Sequence, residues 1–82
     1  MKIGNFLYTV NAYYEGTTVS INTNEVEVVC GELLSRAEEG AAVDLIDNSI
    51  GEVLVSYNEE EKYMTPEWTL ILVGYLTLKT WG

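Results

Sequence analysis

Residues 65–82 read TPEWTLILVGYLTLKTWG, and the fold depends on whether this segment is a helix or a strand. It opens with a threonine, which caps helices, a proline that suits the first helical position, and a glutamate that the helix dipole favours. The leucines that follow also alternate with other apolar residues, as in a strand bent at Gly74. We predict a helix over residues 65–80, because the start signal is specific and a strand of this length exceeds the usual range of roughly 3–10 residues.

The predicted C-terminal helix is apolar on two sides. We expect one stripe to pack on the rest of the chain, and it holds Trp68, Ile71, Leu72, Tyr75 and Leu78. The second stripe holds Leu70, Val73, Gly74, Thr77 and Trp81. Left in water, the second stripe would expose on the order of 300 Å² of apolar surface, which is typical of interaction sites. We therefore predict a homodimer, in which Gly74 lets two copies of the helix approach about a twofold axis.

The segment before this helix predicts a β-hairpin over residues 42–58. Apolar residues alternate on both sides of a loop, and Gly51 suits the bulge position of that loop. Residues 59–61 are three glutamates, and we interpret them as an acidic connector between the hairpin and the C-terminal helix.

A first helix is predicted over residues 24–39. Asn24 and Glu27 have the spacing of a capping box, and apolar residues then recur at helical intervals. Gly40 follows, and a glycine in the left-handed conformation is a common end of a helix.

The N-terminal residues 3–22 alternate as a second hairpin around Gly16. Within it, Tyr13 shares a strand face with polar residues and is expected to face solvent. The element order is therefore ββαββα. It predicts a single α+β domain over residues 1–82, in which one four-stranded antiparallel sheet is packed by two helices.

Composition limits the partners of this chain. The formal charge is -9, so direct binding to nucleic acid or to an anionic membrane surface is disfavoured by repulsion. The apolar C-terminal run is shorter than the roughly 20 residues that span a bilayer. The single cysteine, Cys30, lies on the apolar stripe of the first helix, so we expect a core residue, no disulfide and a cytoplasmic location.

The chain contains no histidine, the commonest general base and metal ligand. We therefore expect no catalytic residues, no cofactor and no metal site. Asp47, Ser49 and Glu52 surround Gly51, but they lack the ligand spacing of a calcium loop. An enzyme or a ligand-binding protein remains an alternative only if association between chains builds a shared pocket.

Exposed acidic residues offer a further route to protein contact. Lying together, they would imitate a run of phosphates and occlude the basic nucleic-acid channel of a target enzyme, with attraction speeding the encounter. Small acidic inhibitors from phages and mobile elements are similar to this chain in size and charge, though not in motif. The residues predicted for such a surface are Glu25, Glu27, Glu32, Glu38, Glu39, Glu59, Glu60 and Glu61. The sequence thus predicts a small acidic protein–protein interaction module, either such an inhibitor or an assembly subunit that docks through its C-terminal helix.

Overall fold

The computed structural model describes residues 6–81, with Trp81 described by its backbone alone. Seven elements follow one another in the order ββαβββα. They are β1 (Tyr8–Tyr14), β2 (Thr17–Thr23), α1 (Val26–Glu38), β3 (Ala42–Asp47), β4 (Glu52–Tyr57), β5 (Lys62–Met64) and α2 (Pro66–Trp81).

All strands pair antiparallel in one sheet with the order β2-β1-β3-β4-β5. The predicted α+β class, with an antiparallel sheet and two helices, is confirmed. The predicted four-stranded sheet and the order ββαββα are wrong, because the chain after the acidic turn forms a fifth strand on β4, with Tyr63 opposite Ser56. That strand is only three residues long, which is shorter than the runs in which alternation reveals a strand.

The two hairpins follow the alternation of the sequence. The predicted hairpin 3–22 is present from Tyr8 to Thr23, and residues 3–5 lie outside the described part of the chain. Its turn contains Gly16 with a φ of 81°, a conformation that glycine adopts at little cost. In the hairpin predicted over residues 42–58, β4 ends at Tyr57, one residue early.

Helix α1 begins later than the predicted range 24–39. The side chain of Asn24 accepts a hydrogen bond from the Leu7 N–H at 2.8 Å. This bond joins the residue before β1 to the segment that precedes α1. Glu25 occupies the cap position with no side-chain hydrogen bond, so the predicted capping box is wrong. At the other end, Gly40 follows the helix with a φ of 92°, as predicted for a terminating glycine.

Both helices cover one face of the sheet and share its core. Trp68 of α2 is the largest fully buried side chain, 1% exposed, and its ring meets that of Tyr8 edge to face at 5.6 Å. Cys30 is buried as predicted, and this burial raises the pKa of its thiol. The buried core consists of Val10, Ala12, Val29, Cys30, Leu33, Ala41, Val43, Leu45, Val55, Trp68 and Leu72.

Candidate protein-docking surfaces

The apolar C-terminal segment is a helix, and the alternative of a strand bent at Gly74 is wrong. Its start follows the predicted signal: the Thr65 hydroxyl accepts a hydrogen bond from the Trp68 N–H at 3.3 Å, and Pro66 is the first helical residue. Among residues 66–80 of this helix, only Trp68 and Leu72 are buried. Within residues 6–81, no helix has both the length and the apolar character needed to cross a bilayer.

Helix α2 meets α1 closely at one point. A Cβ atom placed on Gly31 of α1 would lie 3.3 Å from the Tyr75 hydroxyl, so the missing side chain permits this close approach. An open groove of about 710 Å³ lies beside the contact, between Val26 of α1 and Leu70 of α2. Beyond Tyr75, every residue from 76 to 80 is exposed. The C-terminal third of α2 therefore has little of this chain to pack on.

The solvent-facing side of α2 carries large apolar side chains. Leu70 is 73% exposed, Val73 56%, Leu76 47% and Leu78 75%. These four side chains, together with Gly74 and Thr77, form a surface that we call the outer face of α2. The prediction that Leu78 packs on the body of the protein is wrong, because its side chain lies exposed at the border of the open groove between α2 and the start of α1.

The outer face follows helical periodicity. Leu70, Val73 and Thr77 lie at i, i+3 and i+7 along its centre, and Leu76 and Leu78 lie on opposite flanks. Gly74 is exposed as well, so four of the predicted self-association residues share this surface. The side chain of the fifth, Trp81, lies outside the described residues.

Three threonines of α2 direct their hydroxyl groups to the helix itself. Each donates to the carbonyl oxygen four residues earlier, at distances of 2.8 to 3.0 Å, and the three are Thr69, Thr77 and Thr80. Such a hydroxyl is satisfied without a solvent partner. The only charged residues of α2 are Glu67 and Lys79, and neither belongs to the outer face as defined. No side chain of this surface is charged, and the hydroxyl of its one threonine, Thr77, donates within the helix.

The predicted acidic residues fall at opposite ends of the molecule. Glu25 and Glu27 lie at the start of α1, while Glu38 and Glu39 lie at its end, about 20 Å away for a helix of this length. The turn that holds Glu59, Glu60 and Glu61 lies near the end of α1, because residues of that turn and Gly40 border the same cleft. The turn 59–61 therefore lies on the side of the molecule where α1 ends, Glu25 and Glu27 lie at the start of α1, and Glu32 lies between the two ends of that helix.

Two of the eight acids are engaged by Arg36 on the exposed flank of α1. The Arg36 guanidinium lies 3.0 Å from Glu32 and 3.9 Å from Glu39. The Tyr14 hydroxyl accepts a hydrogen bond from Arg36 and donates one to Glu39, so it bridges the two groups. Hydrogen bonds to Tyr14 and Glu32 raise the pKa of Arg36, which remains a cation and offsets acidic charge on this flank.

The face of the sheet opposite the helices is polar along β1 and β2. Tyr13 is 41% exposed there, as predicted, and its hydroxyl donates to Asp44 at 2.8 Å. This hydrogen bond raises the pKa of Tyr13. The Ser20 hydroxyl similarly donates to Asn11 at 2.6 Å. These groups satisfy one another within the sheet and leave no unpartnered group aimed at a ligand.

Comparisons of this chain with known proteins give no information on its function. Protein-family models, characterised proteins and solved structures give no match to this chain. Among residues 6–81, no three carboxylate or cysteine side chains are grouped in a way that could hold a metal ion.

Proposed function

We propose that this chain is an assembly module that docks through the outer face of α2, with a second copy of the chain as the partner. The observation that supports the proposal is the exposure of Leu70, Val73, Leu76 and Leu78 on an uncharged helix face. In a chain with a formal charge of -9, so concentrated an apolar surface is unusual, and surfaces of this kind are typical of interaction sites.

Burial of this face would supply much of the free energy of association. A fully buried leucine or valine side chain contributes about 1.5–3 kcal/mol relative to an exposed one. A symmetric contact buries the same side chains from both copies, and the total is comparable with the roughly 4–15 kcal/mol lost in translational and rotational freedom on association. The Thr77 hydroxyl keeps its donor bond when this face is buried, since that bond lies within the helix.

Charge favours a second copy as the partner at this face. Two chains of charge -9 repel each other wherever acidic surfaces meet, and the outer face of α2 offers an approach through uncharged side chains, with Glu67 one turn before Leu70 as the nearest carboxylate on that helix. Gly74 lies on this face, and no atom lies within 4 Å of the position that a Cβ would occupy. The backbone of a second helix can therefore come close at Gly74, as the twofold arrangement requires.

The acidic end of the molecule supports a second proposal, contact with the basic surface of a target protein. Glu38 and Glu39 end α1, and the turn 59–61 borders a cleft with Gly40, which follows them; these carboxylates would accelerate association by long-range attraction. This patch is smaller than the surface predicted from the sequence, because Glu25 and Glu27 lie at the other end of α1. We therefore place docking through α2 ahead of occlusion of a nucleic-acid channel.

The salt dependence of self-association tests the proposed function. We expect sedimentation equilibrium to give a dimer whose Kd is unchanged or lower when NaCl is raised from about 0.1 M to 1 M, because screening weakens repulsion between the acidic chains. Association driven by attraction between the acidic residues and a basic surface would instead show a Kd that rises more than about tenfold over this range. A chain that stays monomeric at high micromolar concentration would contradict the proposal.

A further inference from the structure

The outer edge of β2 is unusual for an exposed strand. β2 lies at one end of the sheet, and within residues 6–81 no element pairs with its outer side. Its seven residues, TTVSINT, include no charged residue and no proline. Its register with β1 runs without a bulge over the whole strand.

Exposed edges normally carry a feature that prevents pairing with other chains. Short length, lysine, proline and bulges are the usual ones. The opposite edge of this sheet has three of them, because β5 is only three residues long, includes Lys62 and is followed within two residues by Pro66. β2 has none of these features, so it remains available for strand pairing.

The register of the hairpin shows which backbone groups of β2 are free. Tyr14 and Thr17 close the two-residue turn, so they form a hydrogen-bonded pair, and such pairs alternate with non-bonded pairs along the ladder. The residues of β2 that bond to β1 are therefore Thr17, Val19, Ile21 and Thr23. The N–H and C=O groups of the alternate residues, Thr18, Ser20 and Asn22, face outward. An added strand finds three consecutive attachment points at the normal spacing of a sheet.

We propose that the outer edge of β2 binds an extended segment of a partner protein by strand addition, and that this segment carries Lys or Arg at both ends. Backbone hydrogen bonds to a free edge supply affinity without a fixed sequence. Val19 and Ile21 are half-buried on the helix side, and Ser20 lies on the polar side. An alternating apolar and polar segment therefore matches both faces of the edge.

The basic ends follow from the charges that border the strand. Glu15 comes just before β2 and Glu25 just after it, and both are exposed. On the neighbouring flank of α1, Arg36 is engaged with Glu32 and Glu39, which leaves Glu15 and Glu25 free of any described cation. Lysine or arginine at either end of an added strand would lie close to one of these two carboxylates.

A second copy of this chain is a poor occupant of the same edge. When the β2 strands of two copies pair antiparallel and overlap over their full length, Ser20 of one copy lies opposite Ser20 of the other. Continued to both ends, this register brings Glu15 of each copy next to Glu25 of the other. Like charges placed opposite each other destabilise a strand pair. The edge therefore favours a basic-ended segment of another protein over self-pairing.

This inference does not depend on the outer face of α2, and the two surfaces lie on different elements. It gives the proposed dimer a site that binds an extended segment of a partner protein. A module that dimerises through α2 would present two β2 edges, and a ligand with two suitable segments would gain affinity from both.

The test uses a fluorescent peptide of about eleven residues, with lysine at each end and alternating valine and threonine between them. We expect fluorescence anisotropy to show binding to the unmutated chain. N-methylation of the alternate amides that face β2 is expected to weaken binding by more than about tenfold, because each methyl group removes a donor and blocks pairing. Methylation of the amides that face away serves as the matched control and is expected to leave binding within about threefold.

Substitutions in the protein test the same contact without changing the peptide. Ser20→Pro removes an outward N–H and no bond to β1, so we expect it to weaken peptide binding more than about tenfold. Ser20→Ala is its control, since it removes only the hydroxyl bond to Asn11 and should retain binding. Glu15→Gln with Glu25→Gln is expected to weaken binding of the lysine peptide at low salt by about three- to tenfold.

Several results would overturn the inference. These are no binding of the peptide at millimolar concentration, equal binding of the two methylated peptides, and tight binding by Ser20→Pro. The methylated peptides decide the question on the unmutated chain even if a proline variant fails to fold. Retained peptide binding by a chain made monomeric at α2 would show that the two surfaces act separately, and loss of binding in that chain would contradict their independence.

Discussion

The double substitution Leu70→Glu with Val73→Glu is expected to convert the dimer to a monomer and raise its Kd more than about 100-fold. Both side chains lie at the centre of the outer face of α2, and a symmetric contact would place four new carboxylates in an apolar interface. A charge buried without a partner costs several kcal/mol, and about 2.7 kcal/mol corresponds to a 100-fold change in Kd. Sedimentation velocity over a range of concentrations measures the change.

The fold of the monomer should survive this substitution, because Leu70 is 73% exposed and glutamate is a good helix former. Circular dichroism checks that helix content is retained. The matched control is Ile50→Glu with Val53→Glu, which adds the same charge at two exposed apolar residues in and beside the β3–β4 turn, away from α2. We expect this control to remain dimeric. Dissociation by both double variants alike would attribute the effect to net charge and would contradict docking through α2.

Trp68→Ala is expected to lower the free energy of unfolding by about 3–5 kcal/mol, the usual cost of removing a buried tryptophan side chain. Trp68 is 1% exposed, contacts the Tyr8 ring edge to face, and is one of two buried residues among positions 66–80 of α2. A chain of 82 residues typically has a total stability of about 4–12 kcal/mol, so much of it depends on this side chain. Urea unfolding followed by circular dichroism measures the loss.

Two further variants serve as comparisons for the loss of stability in Trp68→Ala. Trp68→Phe keeps an aromatic ring against Tyr8 and is expected to cost less than the alanine variant. Leu78→Ala removes an apolar side chain that is 75% exposed, and we expect a change within about 0.5 kcal/mol when the chain is monomeric. A loss below about 1 kcal/mol for Trp68→Ala would show that α2 is held to the sheet in some other way.

Local signals in the sequence predicted most of the fold. The threonine and proline at the start of α2 favoured a helix over a strand, and the helix forms with the Thr65 hydroxyl in place. Gly40 and the alternation of the two hairpins also act through neighbouring residues, and their structures follow the prediction. Each of these signals involves residues within one element or one turn.

The features that the sequence did not predict depend on distant contacts. β5 forms only because β4 lies beside it, and its three residues are too few for a visible pattern. Asn24 bonds to the Leu7 N–H, seventeen residues earlier, and so is not available as a helix cap. Neither outcome can be derived from the residues that flank these positions.

The candidate surfaces were predictable to a similar extent. Helical periodicity placed Leu70, Val73, Gly74 and Thr77 on one side of α2, where the structure exposes them. The exposure of Leu78 could not be derived, because it depends on the open groove that remains between α2 and the start of α1. The free edge of β2 was likewise hidden, since the order of strands in a sheet comes from tertiary pairing. The separation of the acidic residues has the same cause.

Intermolecular nuclear Overhauser effects are the most direct test of docking through α2. A mixed sample of isotope-labelled and unlabelled chains, recorded with isotope filtering, detects only contacts between copies. We predict effects from the methyl groups of Leu70 and Val73 to the same helix of the second copy. A dimer whose intermolecular effects all lie outside α2, or a concentrated sample that gives none, would contradict the account.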